Sequence, residues 1–495
     1  MMRGRVLAAL VILLGHAVPI LWAAPNVLMI AIDDQNDWIG CLGGHPQART
    51  PNIDLLAARG TLFANAHCQA PLCNPSRSSL LTGLRPSTTG IHGLVPGIRS
   101  VDATRNAITL PQAFRGAGYW TYTCGKVFHD GSLSPKERQA EFATWGPAPG
   151  MGKPPKPFAK VPEPRHPAMD WGPFPETESK AADHVIADAA IKALADAPRE
   201  KPFFIAAGFR LPHVPCYAPQ AWFDLFPEDK VQLPPVLETD RDDTPRFSWY
   251  LHWKLPEPRL KTLRDQGEWK PLVRAYLAST AFMDAQVGRL LQSLEKSGRS
   301  GETIVVLWSD HGYHLGEKQI TGKNTLWERS TRVPLVFAGP GIARGARCRR
   351  PAELLDIYPT LVEMAGIPME RRPARLEGVS LKPQLSDAGA LRDKPAITSH
   401  NQGNHAVRDE RYRYIRYADG GEELYDMQAD PNEWTNLAAT AEHSETKARL
   451  ARWLPRVDVA AAPGSLHRVL IRDGATGAVN WEGQPILPTD PIPTP

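Results

Sequence analysis

The chain has little cysteine, little net charge and no long apolar run after its first residues. Six cysteines in 495 residues are too few for a disulfide scaffold of this length. The fold must rest on a packed core, and 42% hydrophobic with 22% charged residues can supply one. The formal net charge is only +4, from 57 basic and 53 acidic residues. That balance excludes a dedicated nucleic-acid binder. Beyond the N-terminus no stretch approaches the roughly 18 apolar residues of a membrane-spanning helix. No internal repeat is present. What is abundant is proline, 48 residues, about twice the usual share of roughly 5%.

At the N-terminus, Arg3 and Arg5 precede an apolar run from Val6 to Leu14, and small Ala23 and Ala24 follow. This predicts a secretory signal over residues 1–24. Leu21 or Trp22 takes the −3 position, and His16 and Pro19 interrupt the run, so an uncleaved anchor stays open. Either way the chain is expected to be exported, to a periplasm or beyond.

Asn26–Ile32 is a continuous apolar run, the pattern of a strand buried on both faces. It ends in Asp33-Asp34. The run 202–209 ends near His213, 303–308 leads into Ser309-Asp310-His311-Gly312, and 334–338 into a Gly-Pro-Gly turn. Helical patterns fall at 55–59, 76–81, 182–197, 272–296 and 354–365. This alternation predicts an α/β fold, a large mostly parallel sheet covered by helices on both faces. In such sheets ligands bind beyond the carboxyl ends of the strands, where the polar clusters fall. Near residue 390 the pattern changes. Residues 411–417 alternate like an antiparallel strand, Asp419-Gly420-Gly421 turns, and 423–426 returns. With a helical stretch near 444–453, this predicts a smaller C-terminal α+β subdomain over 390–495. Its tail, 490–495, is expected to be mobile. The main domain covers 25–389.

Two adjacent carboxylates at a strand end are costly unless a cation neutralises them, and hard oxygen ligands favour Ca²⁺ or Mg²⁺. Turn chemistry also places Asp after strands, so Asp33-Asp34 or Asp310-His311 alone decides nothing. The segment Pro71-Leu72-Cys73-Asn74-Pro75-Ser76-Arg77-Ser78-Ser79-Leu80-Leu81-Thr82-Gly83 says more. A cysteine opening a proline-initiated helix sits in the field of free backbone N–H groups. That field favours an anionic nucleophile or a bound anion. Arg77, one turn on, adds a fixed positive charge. A disulfide half-cystine is the plain alternative in an exported chain.

Cys73-x-Pro75-Ser76-Arg77, followed by Leu81-Thr82-Gly83, resembles the motif of the type I sulfatases, formylglycine-dependent members of the alkaline-phosphatase superfamily. The resemblance runs from Asn26 to about Leu437. With Gly125-Lys126-Val127-Phe128-His129 it looks closest to the iduronate-2-sulfatase branch. It implies an alkaline-phosphatase-like fold and sulfuric ester hydrolysis. It implies that Cys73 is oxidised to formylglycine (3-oxoalanine) by a formylglycine-generating or anaerobic sulfatase-maturating enzyme. It implies one Ca²⁺ held by Asp33, Asp34, Asp310, His311 and modified Cys73. Lys126 and His129 then match the basic pair near the nucleophile and the sulfate. His213, in Gly208-Phe209-Arg210-Leu211-Pro212-His213, matches the leaving-group acid. Lys323 matches a second sulfate-binding lysine, although Thr321-Gly322-Lys323-Asn324 departs from the usual aromatic-x-Lys. Arg77 would hold the formylglycine hydrate, with Asp310 a base near it. The implied substrate is a sulfated carbohydrate, at branch level a 2-O-sulfated uronic acid.

Elementary chemistry agrees. A sulfate monoester is an anion, so its pocket must concentrate positive charge, and an alkoxide leaving group needs a proton. One rival is a phosphate or phosphonate monoester hydrolase of the same superfamily. The chain lacks the further acidic and histidine ligands of a two-zinc site, which argues against it. The other rival is a glycan-binding relative without activity.

His405, in Gln402–Arg408, is expected either to reach the substrate from the C-terminal subdomain or to pack across the seam. His314 is a candidate to line the pocket. His45, His67 and His92 are read as structural or surface residues. Lys153, Lys156, Lys160 and Arg165 lie in a proline-rich loop read as solvated. Ten of the 48 prolines fall between Pro147 and Pro175, and another cluster flanks His213 and runs to Pro258. Those two connections are where substrate selection is expected. If Cys73 is consumed, at least one of the other five cysteines stays unpaired.

Overall fold

The computed structural model describes residues 24–162 and 166–493. Nearly all of the expected signal, Arg165 and the last two residues of the tail lie outside them. The main sheet has eight strands: β1 (Asn26–Asp33), β2 (Thr61–Phe63), β3 (Trp120–Gly125), β4 (Thr144–Trp145), β5 (Phe203–Pro212), β6 (Thr303–Ser309), β7 (Leu335–Ala338) and β8 (Ala346–Cys348). Their order across the sheet is β8-β2-β7-β6-β1-β5-β3-β4. β7 pairs antiparallel with both neighbours, and every other pairing is parallel.

β1 is central because it is apolar on both faces. Leu28, Ile30 and Ile32 enter one core; Val27, Met29 and Ala31 enter the other. This is the period-two alternation of a pleated strand. On the first face pack α3 (Ala182–Asp196) and α4 (Trp269–Lys296), through residues such as Ala190 and Leu277. The second face receives α2 (Cys73–Thr82) and α5 (Ile357–Met364), through Leu80 and Leu361. Before them comes α1 (Pro51–Ala58), with proline in its first turn, where a missing N–H costs nothing. Burying one such aliphatic side chain contributes about 1.5–3 kcal/mol, so this two-sided core suffices without crosslinks. All six cysteines are free, five of them buried.

The C-terminal part is a four-stranded antiparallel sheet: β9 (Ala396–Ser399), β10 (His405–Arg408), β11 (Tyr412–Arg416) and β12 (Glu422–Asp426). Helix α6 (Ser444–Ala451) covers it, with Leu450 and Leu454 against Val407, Tyr414 and Leu424. A further three-stranded sheet follows, β13 (Leu470–Arg472), β14 (Val479–Trp481) and β15 (Gln484–Ile486). Sequence reading did not foresee it, because strands three residues long show no resolvable period. Among the described residues no helix is long and apolar enough to cross a membrane.

Candidate active site

Parallel register carries distant motifs to one place. Ile32 pairs with Ser309 and Asp33 with Pro212, so Asp33-Asp34, Asp310-His311 and His213 emerge together at the carboxyl ends of β1, β6 and β5. Gly125 pairs with Gly208 at the end of β3. Only glycine fits there: φ is +67°, and a Cβ would meet the Gly208 carbonyl oxygen at 2.0 Å. The turn it makes delivers Lys126, whose N–H donates to that oxygen at 2.8 Å. Asp34 also has a left-handed backbone, φ +62°, which costs on the order of 1 kcal/mol or more for a non-glycine. Tyr276 on α4 stabilises it, its hydroxyl donating to the Asp34 carbonyl at 2.7 Å and accepting from Asn36 N–H at 3.0 Å.

Cys73 is the first residue of α2, follows extended Leu72, and is 2% exposed. Its Sγ lies 3.3 Å from Nε2 of His311, 3.3 Å from Nζ of Lys323 and 3.8 Å from Nζ of Lys126. Burial opposes ionisation of the thiol, but Lys126, Lys323 and His311 outweigh it and hold its pKa well below the ordinary value. Lys126 donates to Asp33 at 2.5 Å, and Lys323 to both oxygens of Asp34 at 2.7 and 2.9 Å. Burial would raise the Asp33 pKa; Lys126, with His213 and Arg77, holds it well below the carboxylate range. Asp310 is pushed up to about 6, burial prevailing over the pull of Arg77.

Arg77 is held by the carboxylates and carbonyls of the cluster. Nη2 donates to Asp33 at 2.9 Å, Nε to Asp310 at 2.8 Å, and Nη1 to the carbonyls of Val127, at 3.2 Å, and Lys126. No side-chain hydrogen bond joins it to Cys73 among the described residues. It is a positioning residue that braces two carboxylates from behind.

The donor set fits a divalent cation. Asp34, Cys73, Asp310 and His311 each offer one ligand atom, all within 4.8 Å of one another, and Asp33, Asp34 and His213 form a second such group. Nδ1 of His311 faces the Gly312 carbonyl at 3.0 Å. A carbonyl only accepts, so Nδ1 keeps a proton. Without a cation, burial would lower the His311 pKa, but neighbouring Asp310 and Asp34 outweigh it and raise it to about 9. A bound cation would displace the Nε2 proton and take that lone pair. Carboxylates joined by one imidazole suit a hard cation better than a soft one. Above the cluster is a cavity of about 290 Å³, lined by Asp33, Cys73, Lys126, His129, His213 and Lys323 among others.

A sulfatase family profile matches residues 25–367, well over half of the chain. The chain belongs to the sulfatase family. It hydrolyses sulfuric esters. A profile for the C-terminal part of N-sulphoglucosamine sulphohydrolase matches residues 316–459. A sulfatase of Formosa agariphila is 41% identical, the match covering 88% of this chain and 87% of that one. Human iduronate 2-sulfatase is 32% identical, over 75% of this chain and 70% of its own. Among solved structures, the phosphonate monoester hydrolase of Agrobacterium radiobacter superposes with a TM-score of 0.70 at 23% identity, covering 86% of this chain and 94% of that one. That likeness is one of fold alone.

Of the residues singled out for this sulfatase, Asp33, Asp34, Cys73, Arg77, Lys126, His129, His213, Asp310, His311 and Lys323 gather around the site. The buried Nδ1 of His129 meets no partner among the described residues. His405 does not reach the cavity. It is 2% exposed, its Nδ1 against Ser399 Oγ at 2.9 Å and its Nε2 against Asp458 at 3.0 Å. The pleat of β10 turns it into the interior of the C-terminal part, so substrate contact is corrected to a packing role. His314 is bonded to Thr325 Oγ1 at 3.0 Å and lines a different cavity. Both proline-rich connections do meet the site: the first supplies Met151, His166 and Met169, the second Glu257, while Arg210 comes from the end of β5. Sequence reading missed these, and Arg468, as individuals. Arg210 carried a signal in its place beside His213; Arg468 had none.

Proposed function

We propose that the protein is an exported sulfatase that removes the 2-O-sulfate of a terminal uronic acid from a sulfated carbohydrate. Cys73 is matured to formylglycine by a dedicated maturating enzyme, and Ca²⁺ occupies the carboxylate–histidine cage. The observation that carries this reading is the meeting of Cys73, Lys126, Lys323 and His213 on one small cavity. The iduronate 2-sulfatase relative supports the choice of sugar. A cavity near 290 Å³ is at the small end of ligand pockets, roughly 300–1,000 Å³. It suits one sulfated ring at a chain end.

When present, the formylglycine hydrate supplies the attacking hydroxyl, and the cation draws charge from the sulfate oxygens. The other roles belong to the chain. Lys126 and Lys323, on either side of Cys73, neutralise charge building on the non-bridging oxygens. Arg77 keeps Asp33 and Asp310 in place. His213 has Nδ1 engaged with the Val214 carbonyl, so the proton to be given is on Nε2. Burial disfavours the imidazolium, but Asp34, 4.0 Å from Nε2, outweighs it, and the pKa rises above the ordinary value. As the S–O ester bond breaks, that proton passes to the bridging oxygen and a neutral alcohol leaves.

The test is matured protein against defined sulfated disaccharides, with aryl sulfate and aryl phosphate side by side. Sulfate release from 2-O-sulfated uronates is expected. Release only from other positions overturns the substrate, and faster phosphate turnover overturns the reaction.

A further inference from the structure

The cavity has a charged pair in its lining that the chemistry above leaves unused. Arg468 lines it together with Cys73, Lys126 and His213, yet comes from the chain just before β13. Glu257, from the second proline-rich connection, grips its guanidinium at two points, Nη1–Oε2 at 3.2 Å and Nη2–Oε1 at 3.3 Å. The Glu257 side chain is 2% exposed and that of Arg468 14%. Among the described residues no acceptor meets Nε of Arg468.

The backbone there is strained. His467 and Arg468 are both left-handed, φ +62° and +74°. Such conformations persist in non-glycine residues only where the surroundings over-determine them, and they concentrate at functional sites. The surroundings here are specific. Leu94 N–H donates to the His467 carbonyl at 3.1 Å, Asn401 Nδ2 to the Arg468 carbonyl at 3.3 Å, and Arg468 N–H to Glu482. Gly93 lets the two segments touch, since a Cβ there would meet the Leu466 carbonyl oxygen at 2.4 Å. The cavity is thus lined in part by a segment some 150 residues beyond Lys323, bent to hold one guanidinium in one orientation.

A buried ion pair adds little stability over well-packed apolar residues. What this pair supplies is a planar cationic edge fixed in place. Planar guanidinium matches the two oxygens of a carboxylate, and the sulfate is already assigned to the two lysines. We propose that Arg468, oriented by Glu257, is the subsite for the carboxylate of the sugar that bears the reacting sulfate. This rests on the uronate reading above and assigns that reading a residue.

The test compares a 2-O-sulfated uronate disaccharide with its counterpart reduced to the C6 alcohol. Wild type is expected to prefer the carboxylate by roughly 30-fold or more in kcat/KM, as for a desolvated charge pair. Arg468→Gln should bring the ratio close to one, and Arg468→Lys should restore part of it. Because Arg468→Gln strands the buried Glu257 carboxylate, the double variant Glu257→Gln/Arg468→Gln repeats the test without an orphaned charge. A purely structural role would slow both substrates alike; an unchanged ratio overturns the proposal. A stronger preference for a second sulfate than for the carboxylate overturns the assigned ligand. If wild type turns over neither disaccharide, the uronate reading falls on its own. Inhibition of aryl sulfate turnover by glucuronate, compared with glucose, then probes the subsite. Inhibition favouring glucuronate that is lost in the double variant supports it, and equal inhibition in both proteins overturns it.

Discussion

Nζ of Lys323 lies 3.3 Å from Sγ of Cys73, across 250 residues of sequence. The same ammonium holds both oxygens of Asp34, so one charge serves the nucleophile position and the carboxylate cage together. Lys323→Ala is expected to lower kcat/KM on aryl sulfate by about 100- to 1,000-fold, the usual cost of one transition-state donor. Steady-state kinetics on the matured variant checks this. A loss below about tenfold would separate Lys323 from the sulfate.

His213 should matter in proportion to how poor the leaving group is. For a sugar alcohol, whose alkoxide needs a proton, His213→Ala is expected to cost about 100- to 10,000-fold in kcat. For a nitrophenyl sulfate, whose phenolate leaves unaided, the loss should be much smaller. Equal losses on both substrates would show that His213 binds sulfate and is not the acid.

Most of this site was legible because its chemistry is concentrated in short motifs. Asp33-Asp34 ends an apolar run, Cys73 opens a proline-initiated helix, and Asp310-His311 ends another run. Strand ends in a parallel sheet share one edge, so the motifs converge. What was not legible acts through tertiary contact. Tyr276 is one buried tyrosine in a 28-residue helix, and nothing local marks it as the support of Asp34. Arg468 is one arginine in a loop. His405 stayed open between substrate contact and packing because the sequence does not say which way its side chain points; the pleat of its strand decides that.

Acid should destabilise the fold through buried histidines outside the site. His67, His314 and His400 have pKa values held down by burial first, His400 to about 3; neighbouring positive charge adds to this at His314 and His400, and at His67 burial prevails over the opposing pull of Glu328. Their folded values lie below the unfolded value near 6.5, so their stability is fully present above that pH and lost as pH falls below it. Each should contribute on the order of 2 kcal/mol to the loss between pH 7 and 5. Thermal unfolding across that range should show a falling Tm, with a shallower slope in His400→Gln. An identical slope in the variant would contradict the assignment.

Removal of divalent cations should abolish turnover, and Ca²⁺ should restore it. Because three buried carboxylates share the cage, Ca²⁺ should also raise the unfolding midpoint in a concentration-dependent way, and Asp34→Asn should weaken that shift. Turnover that persists under exhaustive chelation would count against the cage.

The central claim is that Cys73 is the precursor of the nucleophile. Its most direct test is the mass of the proteolytic peptide carrying Cys73, taken from a preparation that hydrolyses sulfate esters. An aldehyde in place of the thiol is the predicted result. An unmodified thiol in fully active protein would contradict it.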